Sequence, residues 1–451
     1  MPKFVQSNPD QAYLLPPDLR DWLPENDLAH FILEAVERVP MDQFKVNHRG
    51  TGSDQYHPRM MLALLIYGYS NGVFSSRRIE RATYRDLGFR FITGNCHPDH
   101  DTICAFRRNN LEAFSESFLQ VLLLARELKL LKVGRVSVDG TKMKANASKR
   151  RSIRYDRAQA LREQLQGEIA ELVEKAEQSD RESVPNDGSE HLPEELTRRK
   201  NLKSQLDDAC AKLEKESKDR AAEKQASYEQ KVTERESRKG KRKGPKVKPP
   251  KEEPEPNAQI NLTDSDSALM RKNKQSEYQQ AYNAQAVVDA DGSQLVLGAR
   301  VSQCASDRNE LKADIDVIPD EVGKPELVLG DNGFANGDDV AQIESDGIEV
   351  LVAVGGGDHY RKHDFRPPSE PKPSPEPKAA WLKEMKNKLE KEENKAHYRL
   401  RQQTVEPVFG IIKQAMGFRQ FLLRGKEKVS TEWLLVVLAY NCKRLNNMMC
   451  C

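Results

Sequence analysis

No run of apolar residues in this chain reaches the roughly 18 needed to cross a membrane as a helix. The apolar stretch at residues 433–440 has the length of a buried helix instead. Hydrophobic residues are scarce, 37% of 451, while 31% are charged. A chain this polar does not build one compact core along its whole length, so a long segment must be solvated. A secretory signal is missing, and the seven cysteines are an odd number. Both features predict reduced thiols and a cytoplasmic protein. An excess of one charge is missing too, the formal net charge being only +2. Local balance differs: residues 132–157 hold nine Lys/Arg against Asp139 and Asp156, and residues 396–445 hold nine against Glu406, Glu427 and Glu432. Basic charge around a few acids fits a phosphate-binding surface, or else ordinary solvated helix faces.

The length predicts two or three domains. Residues 1–130 read as helical. Leu28, Phe31, Ile32 and Val36 make one stripe, residues 57–69 form a strongly apolar helix, and Ser75 or Ser76 is placed to cap the next. Helices near 101–110 and 111–129 follow a turn at 94–99. Arg77, Arg78, Arg81, Arg85, Arg107 and Arg108 on these short helices suggest a DNA-binding bundle, and a plain structural bundle is the alternative.

Residues 135–138 read as a strand ending at Asp139. Composition then shifts. Leu161, Leu165, Ile169 and Leu172, and later Leu202, Leu206, Ala209 and Leu213, recur at helical spacing among charges. They predict two helices in an antiparallel coiled-coil hairpin joined by the polar stretch 184–191. Residues 238–251 pack eight Lys/Arg among Gly and Pro and read as a disordered linker. Strands are expected at 283–289, 294–301, 326–329 and 349–354, with helices at 307–315, 337–345, from about 380 toward 416, and 431–445. Residues 356–379 read as a loop. The fold expected is α/β: a ribonuclease H-like mixed sheet, an N-terminal all-α domain over 1–130, a first strand within 131–154, a hairpin insert and linker over 155–258, and the rest of the catalytic domain over 259–451.

Cutting a phosphodiester with two divalent ions about 3.5–4 Å apart needs carboxylates converging from separate elements. Asp139 and Asp331 both stand at expected strand ends. A turn Asp after a strand is the bland reading of either. Glu406 stands among Val405, Val408, Phe409, Ile411 and Ile412, where a carboxylate is costly without a partner. That partner is a metal, or Arg399 or Arg401 in a structural ion pair. Residues seven apart on a helix differ by about 20°, so Lys413 shares the Glu406 face. Pro407 requires either a kinked helix or one that begins there. Cys96, His97, His100 and Cys104 are metal-ligand types, but their spacing fits no zinc pattern. His359 and His363 fall in a polar loop.

Several stretches resemble the transposases of bacterial insertion sequences. Tyr56-His57-Pro58-Arg59-Met60-Met61, Gly72-Val73-Phe74-Ser75-Ser76-Arg77-Arg78-Ile79-Glu80 and His97-Pro98-Asp99-His100-Asp101-Thr102-Ile103 are similar to their N-terminal helical domain. Val138-Asp139-Gly140-Thr141-Lys142 is similar to the segment of the first catalytic Asp. Tyr282-Asn283-Ala284-Gln285-Ala286 resembles the second strand, and Gly330-Asp331-Asn332-Gly333-Phe334 the second Asp motif. Val405-Glu406-Pro407-Val408-Phe409-Gly410, followed by Gly417-Phe418-Arg419, resembles the Glu motif. The likeness covers nearly the whole chain outside 155–258 and 356–390.

It implies a DDE transposase with Asp139, Asp331 and Glu406 as catalytic, metal-holding acids, and two Mg²⁺ ions for which Mn²⁺ substitutes. Lys413 matches the Lys of the related Tyr-Arg-Glu-Lys signature. Tyr398 and Arg401 match its first two residues with a gap one residue longer before Glu406. The resemblance implies hydrolysis at transposon ends, attack of the freed 3′-OH on target DNA, and a homodimer or larger assembly on DNA in a bacterial nucleoid. Lys142, Lys144, Arg77, Arg78, Arg81, Arg401, Lys413, Arg419 and Arg424 are the candidate DNA contacts. A structure-specific nuclease on the same fold, an inactive transposase-derived DNA-binding protein, and a coiled-coil scaffold are the alternatives.

Overall fold

The computed structural model describes residues 18, 21, 23–46, 54–182, 192–237, 249–272, 275–354 and 379–450. The chain divides into two compact units, one of residues 1–143, 283–423 and 427–451, the other of residues 144–282 and 424–426. The expected loop 184–191, most of the linker at 238–251, and nearly all of 356–379 with His359 and His363 lie outside the described residues.

Short polar side chains set the first helices. α1 (Leu28–Glu37) starts where Asp27 accepts the Ala29 N–H at 2.8 Å. α2 (Pro58–Ser70) has proline in its first turn, where no N–H is needed, and buries every residue from Met61 to Ser70. Ser75 stands at the N-cap of α3 (Ser76–Arg85), without a side-chain capping bond. α4 (Leu87–Thr93), too short for a periodic signal, is opened by Asp86 and closed by left-handed Gly94. Asp99 caps α5 (His100–Asn109), and α6 (Leu111–Glu127) follows.

β1 runs over Arg135–Lys144, so Asp139 lies inside the strand rather than at its end. In the second unit, β2 (Ser152–Arg154) leads into α7 (Tyr155–Glu182) and α8 (Leu192–Ser237), and β3 (Gln259–Asn261) returns to pair antiparallel with β2. Arg162 pairs with Asp207 at 3.5 Å, and Glu168 with Arg199 at 2.8 Å. One number rises as the other falls, so the helices are antiparallel. Ala158, Leu165, Leu206 and Cys210 form their seam, while Ala209 and Leu213 turn to Ile260 of β3. Within the same unit, β4 (Ala268–Met270) pairs with residues 279–281 of β5 (Gln279–Asp289).

β6 (Val296–Ser302) pairs antiparallel with β5. After α9 (Leu311–Ile315), β7 (Leu327–Gly330) lies parallel to β1, and after α10 (Gly337–Ser345), β8 (Glu349–Val352) lies parallel to β7. The strand path β6-β5-β1-β7-β8 is the ribonuclease H-like mixed sheet that the element order predicts. The helix expected at 307–315 is shorter, because Asp307 turns its carboxylate to the sheet instead of capping.

α11 (Ala380–Glu390), α12 (Glu392–Arg399) and α13 (Arg401–Gly410) run into a π-helical turn at Ile411–Ala415. α13 continues through Pro407. Proline cannot donate to the Gln403 carbonyl four residues back, and Gln294 Nε2 donates to it at 2.7 Å instead. α14 (Lys426–Met449) anchors on the sheet: Asn441 bonds both backbone groups of Val296, and Trp433 Nε1 donates to the Gln285 carbonyl at 2.9 Å.

A buried polar chain ties this helix to the N-terminal ones. Glu432, fully buried, accepts the Leu422 and Leu423 N–H groups and the Tyr69 hydroxyl. Arg107 donates to that hydroxyl at 2.9 Å and to the Phe74 carbonyl at 3.1 Å. Burial holds the Glu432 carboxyl above the ordinary carboxylate range. No helix among the described residues is long and apolar enough to cross a membrane.

Candidate active site

Parallel pairing of β1 with β7 sets Ser137 opposite Leu329. Two residues further on, the same register brings Asp139 opposite Asp331, on strands about 4.8 Å apart. Asp139 Oδ1 accepts its neighbour's N–H, from Gly140, at 2.8 Å. Asp331 leaves the strand as the cap of a short turn, accepting the Gly333 N–H at 2.6 Å. Local backbone donors thus orient both carboxylates.

Helices α12 and α13 cross this point. Tyr398 packs on Leu327, Leu329 and Leu351 and donates its hydroxyl to the Gly330 carbonyl at 3.1 Å, immediately before Asp331. Arg401 Nη2 lies 3.3 Å from Asp139 Oδ2 and 3.7 Å from Asp331 Oδ2. One guanidinium therefore serves two acids, and its buried Nε has no partner among the described residues. Lys413, in the π-helical turn, donates to Thr141 Oγ1. α13 and the π-helical turn after it thus meet β1 at Asp139 through Arg401 and at Thr141 through Lys413.

Glu406 lies between those two contacts in sequence, on the exposed face of α13. No side-chain hydrogen bond or ion pair holds it among the described residues, and Arg401 has turned to the aspartates instead. Among the described residues, no three His, Cys, Asp or Glu side chains gather as a ready metal cluster. The structure thus brings Asp139 and Asp331 together and leaves Glu406 apart from them.

Asp139 is pushed up to about 6. Burial is the largest cause; Arg401 opposes it, while the charges of Asp331 and Asp307 add to it. Two carboxylates on adjacent strands that already share a cation have the donor chemistry for a divalent ion. Mg²⁺ is commonly held by one or two carboxylates, with water and substrate phosphate completing its shell. The residues present therefore fit such an ion.

The expected basic contacts lie in different settings. Arg77, Arg78, Arg81 and Arg85 are exposed on α3, as is Tyr84, whose ring stacks on His97 at 3.8 Å between centroids. Lys144, Arg419 and Arg424 are exposed; Arg419 donates to the Lys413 carbonyl at 3.0 Å and Arg424 to the Asn146 carbonyl at 2.9 Å. Lys142 differs: only 13% of its side chain is exposed, and its ammonium sits 3.2 Å from Asp307. His97 bonds Thr83 and His100 pairs with Glu80, so both brace α3.

Three polar residues beside the site escaped the sequence reading. Asp307 accepts Asn283 Nδ2 at 2.5 Å and Gln285 Nε2 at 2.8 Å as well as Lys142. The available signal was two carboxamides at alternate positions of a strand otherwise made of Tyr282, Ala284, Ala286, Val287 and Val288.

Residues 255–442 match the family model described as a transposase DDE domain, and residues 17–109 match one described as a transposase domain. No curated protein and no solved structure matches the chain.

Proposed function

We propose that this chain, which matches a transposase DDE domain over residues 255–442 and a transposase domain over residues 17–109, is a DDE transposase that cleaves DNA at the ends of a mobile element and joins the freed 3′-OH to target DNA. The observation that carries this reading is the placement of Asp139 on β1 and of Asp331 just past the end of the neighbouring parallel β7, sharing one cation. Asp139 and Asp331 hold the divalent ion, two Mg²⁺ in the full site with Mn²⁺ as a substitute. Bound there, such ions would supply Lewis-acid activation of the attacking oxygen and stabilisation of the leaving one.

Glu406, which stands apart from the two aspartates in this structure, is the acid we propose as third. Its support is position: it stands on the helix stretch whose two ends, Arg401 and Lys413, both reach β1. Arg401 and Lys413 supply positive charge for the scissile phosphate, and Tyr398 fixes α12 against the strand that ends at Asp331. Lys144, Arg419 and Arg424 are exposed cations for the DNA backbone. Arg77, Arg78 and Arg81 fall on one helix with exposed Tyr84, an arrangement suited to transposon ends. The protein acts as a dimer or larger assembly, since two ends must be processed together.

Glu406→Gln keeps shape and removes charge. We expect it to bind end DNA like the parent chain and to lose both cleavage and strand transfer by at least 100-fold. Near-parental cleavage would remove Glu406 from the site. Parental cleavage without strand transfer by the unaltered chain would make the protein a nuclease only.

A further inference from the structure

Behind the paired aspartates lies a second polar group. Asp307 receives Lys142, Asn283 and Gln285, whose reach across the sheet makes it the hub of three side chains. Asn283 and Gln285 are 0% and 1% exposed. Their NH₂ groups face Asp307, because an ionised carboxylate accepts and cannot donate. Both carboxamide oxygens are thereby turned away from it. Among the described residues, neither Asn283 Oδ1 nor Gln285 Oε1 has a hydrogen-bond partner. A buried acceptor without a donor costs roughly 1–3 kcal/mol, so two on one strand face call for an explanation.

The group borders both aspartates. A Cβ added to Gly140, the residue after Asp139, would lie 2.6 Å from Gln285 Oε1 and 2.7 Å from Asp307 Oδ1. One added to Gly333 would lie 2.8 Å from Asp331 Oδ1 and 3.7 Å from Asp307 Cβ. The negative charge of Asp307 is also felt at Asp139. Both glycines let this hub approach the aspartates closely.

Resting on the reading of Asp139 and Asp331 as metal ligands, we propose that Asp307, Asn283 and Gln285 form an outer cradle for the divalent ion, accepting hydrogen bonds from its water shell. Mg²⁺ gives up its waters reluctantly, and each bound water is a polarised O–H donor. Two orphaned amide oxygens and a carboxylate are matched acceptors for such donors. Asp307 is a positioning residue: its charge fixes which way both amides point. Lys142, balancing that charge, belongs to the metal site more than to the DNA backbone.

The test is Mn²⁺ binding to the full chain without DNA, by calorimetric titration, with thermal melting of the metal-free protein alongside. Gln285→Met keeps length while removing the unpartnered oxygen together with the NH₂ group that donates to Asp307. We expect it to melt no more than a few degrees from the parent and to bind Mn²⁺ 10- to 100-fold more weakly, the usual range for lost outer ligands. Asp307→Asn should weaken binding as much, and Asp139→Asn should abolish it. Should Asp307→Asn fail to fold, Gln285→Met decides alone. Parental affinity in Gln285→Met, with Asp139→Asn unable to bind, overturns the cradle and leaves the aspartates as ligands. Parental affinity in Asp139→Asn overturns the ligand reading beneath it.

Discussion

Gly140 sits where the candidate site is tightest. Its need for glycine comes from room, since Gln285 and Asp307 occupy the space a methyl group would take. Those two side chains are locked in place by burial and by one another, so they yield only with loss of the bond between them. Gly140→Ala is therefore expected to cost about 1–3 kcal/mol of stability by overpacking. It should also slow cleavage at least tenfold. Unchanged melting and unchanged cleavage together would show that the pocket gives freely. At this scale the sequence was legible where a residue's role is local. Asp139 and Asp331 each follow a β-branched or leucine-rich strand and have a glycine beside them, Gly140 after the first and Gly330 before the second, a pattern visible in a few residues. Asp307 was not legible, because its partner Lys142 is 165 positions away and nothing local marks the pair. Lys142 likewise read as a surface cation, although only a folded sheet reveals the acid beside it.

Helix α14 shows what a whole element carries. It touches the sheet through Trp433 and Asn441 and the N-terminal helices through Glu432, which Tyr69 links to Arg107. A buried charge left without its counterpart is costly, whereas removing both is cheap. Arg107→Met and Glu432→Leu should each lower stability by about 3 kcal/mol. The double variant should lose distinctly less than the two losses added together, as a denaturation cycle of the four proteins measures. Simple additivity would mean that the chain through Tyr69 couples nothing. Element identities were readable wherever periodicity ran long: α2, α7, α8 and α14 follow their apolar patterns. Short elements escaped. α4 rests on an Asp86 cap and a Gly94 stop, and α9, expected from 307, starts only at Leu311 because Asp307 turns to the sheet instead of capping it. Pro407 illustrates the same limit. It reads as a kink or a helix start, but Gln294, distant in sequence, supplies the donor that proline lacks and α13 runs through it.

At the scale of the molecule, the strand order survives a long interruption. β1 and β5 belong to one sheet although a charged two-helix hairpin separates them in sequence, and the clamp of β2 on β3 closes the base of that hairpin. Order and composition made this legible, because a polar, heptad-like segment has no strand to offer the sheet. The placement of Glu406 was not legible in the same way, since a helix face depends on how α13 docks. Asp139 and Asp331 are proposed to hold a divalent ion which drives cleavage of DNA. The most direct measurement of this is metal rescue in Asp139→Cys. Thiolate is a poor ligand for Mg²⁺ and a better one for softer metals such as Mn²⁺. With end DNA bound as tightly as by the parent, the variant should be at least 100-fold slower than the parent in Mg²⁺ and recover most of its cleavage in Mn²⁺. Parental cleavage in Mg²⁺ alone would contradict the claim.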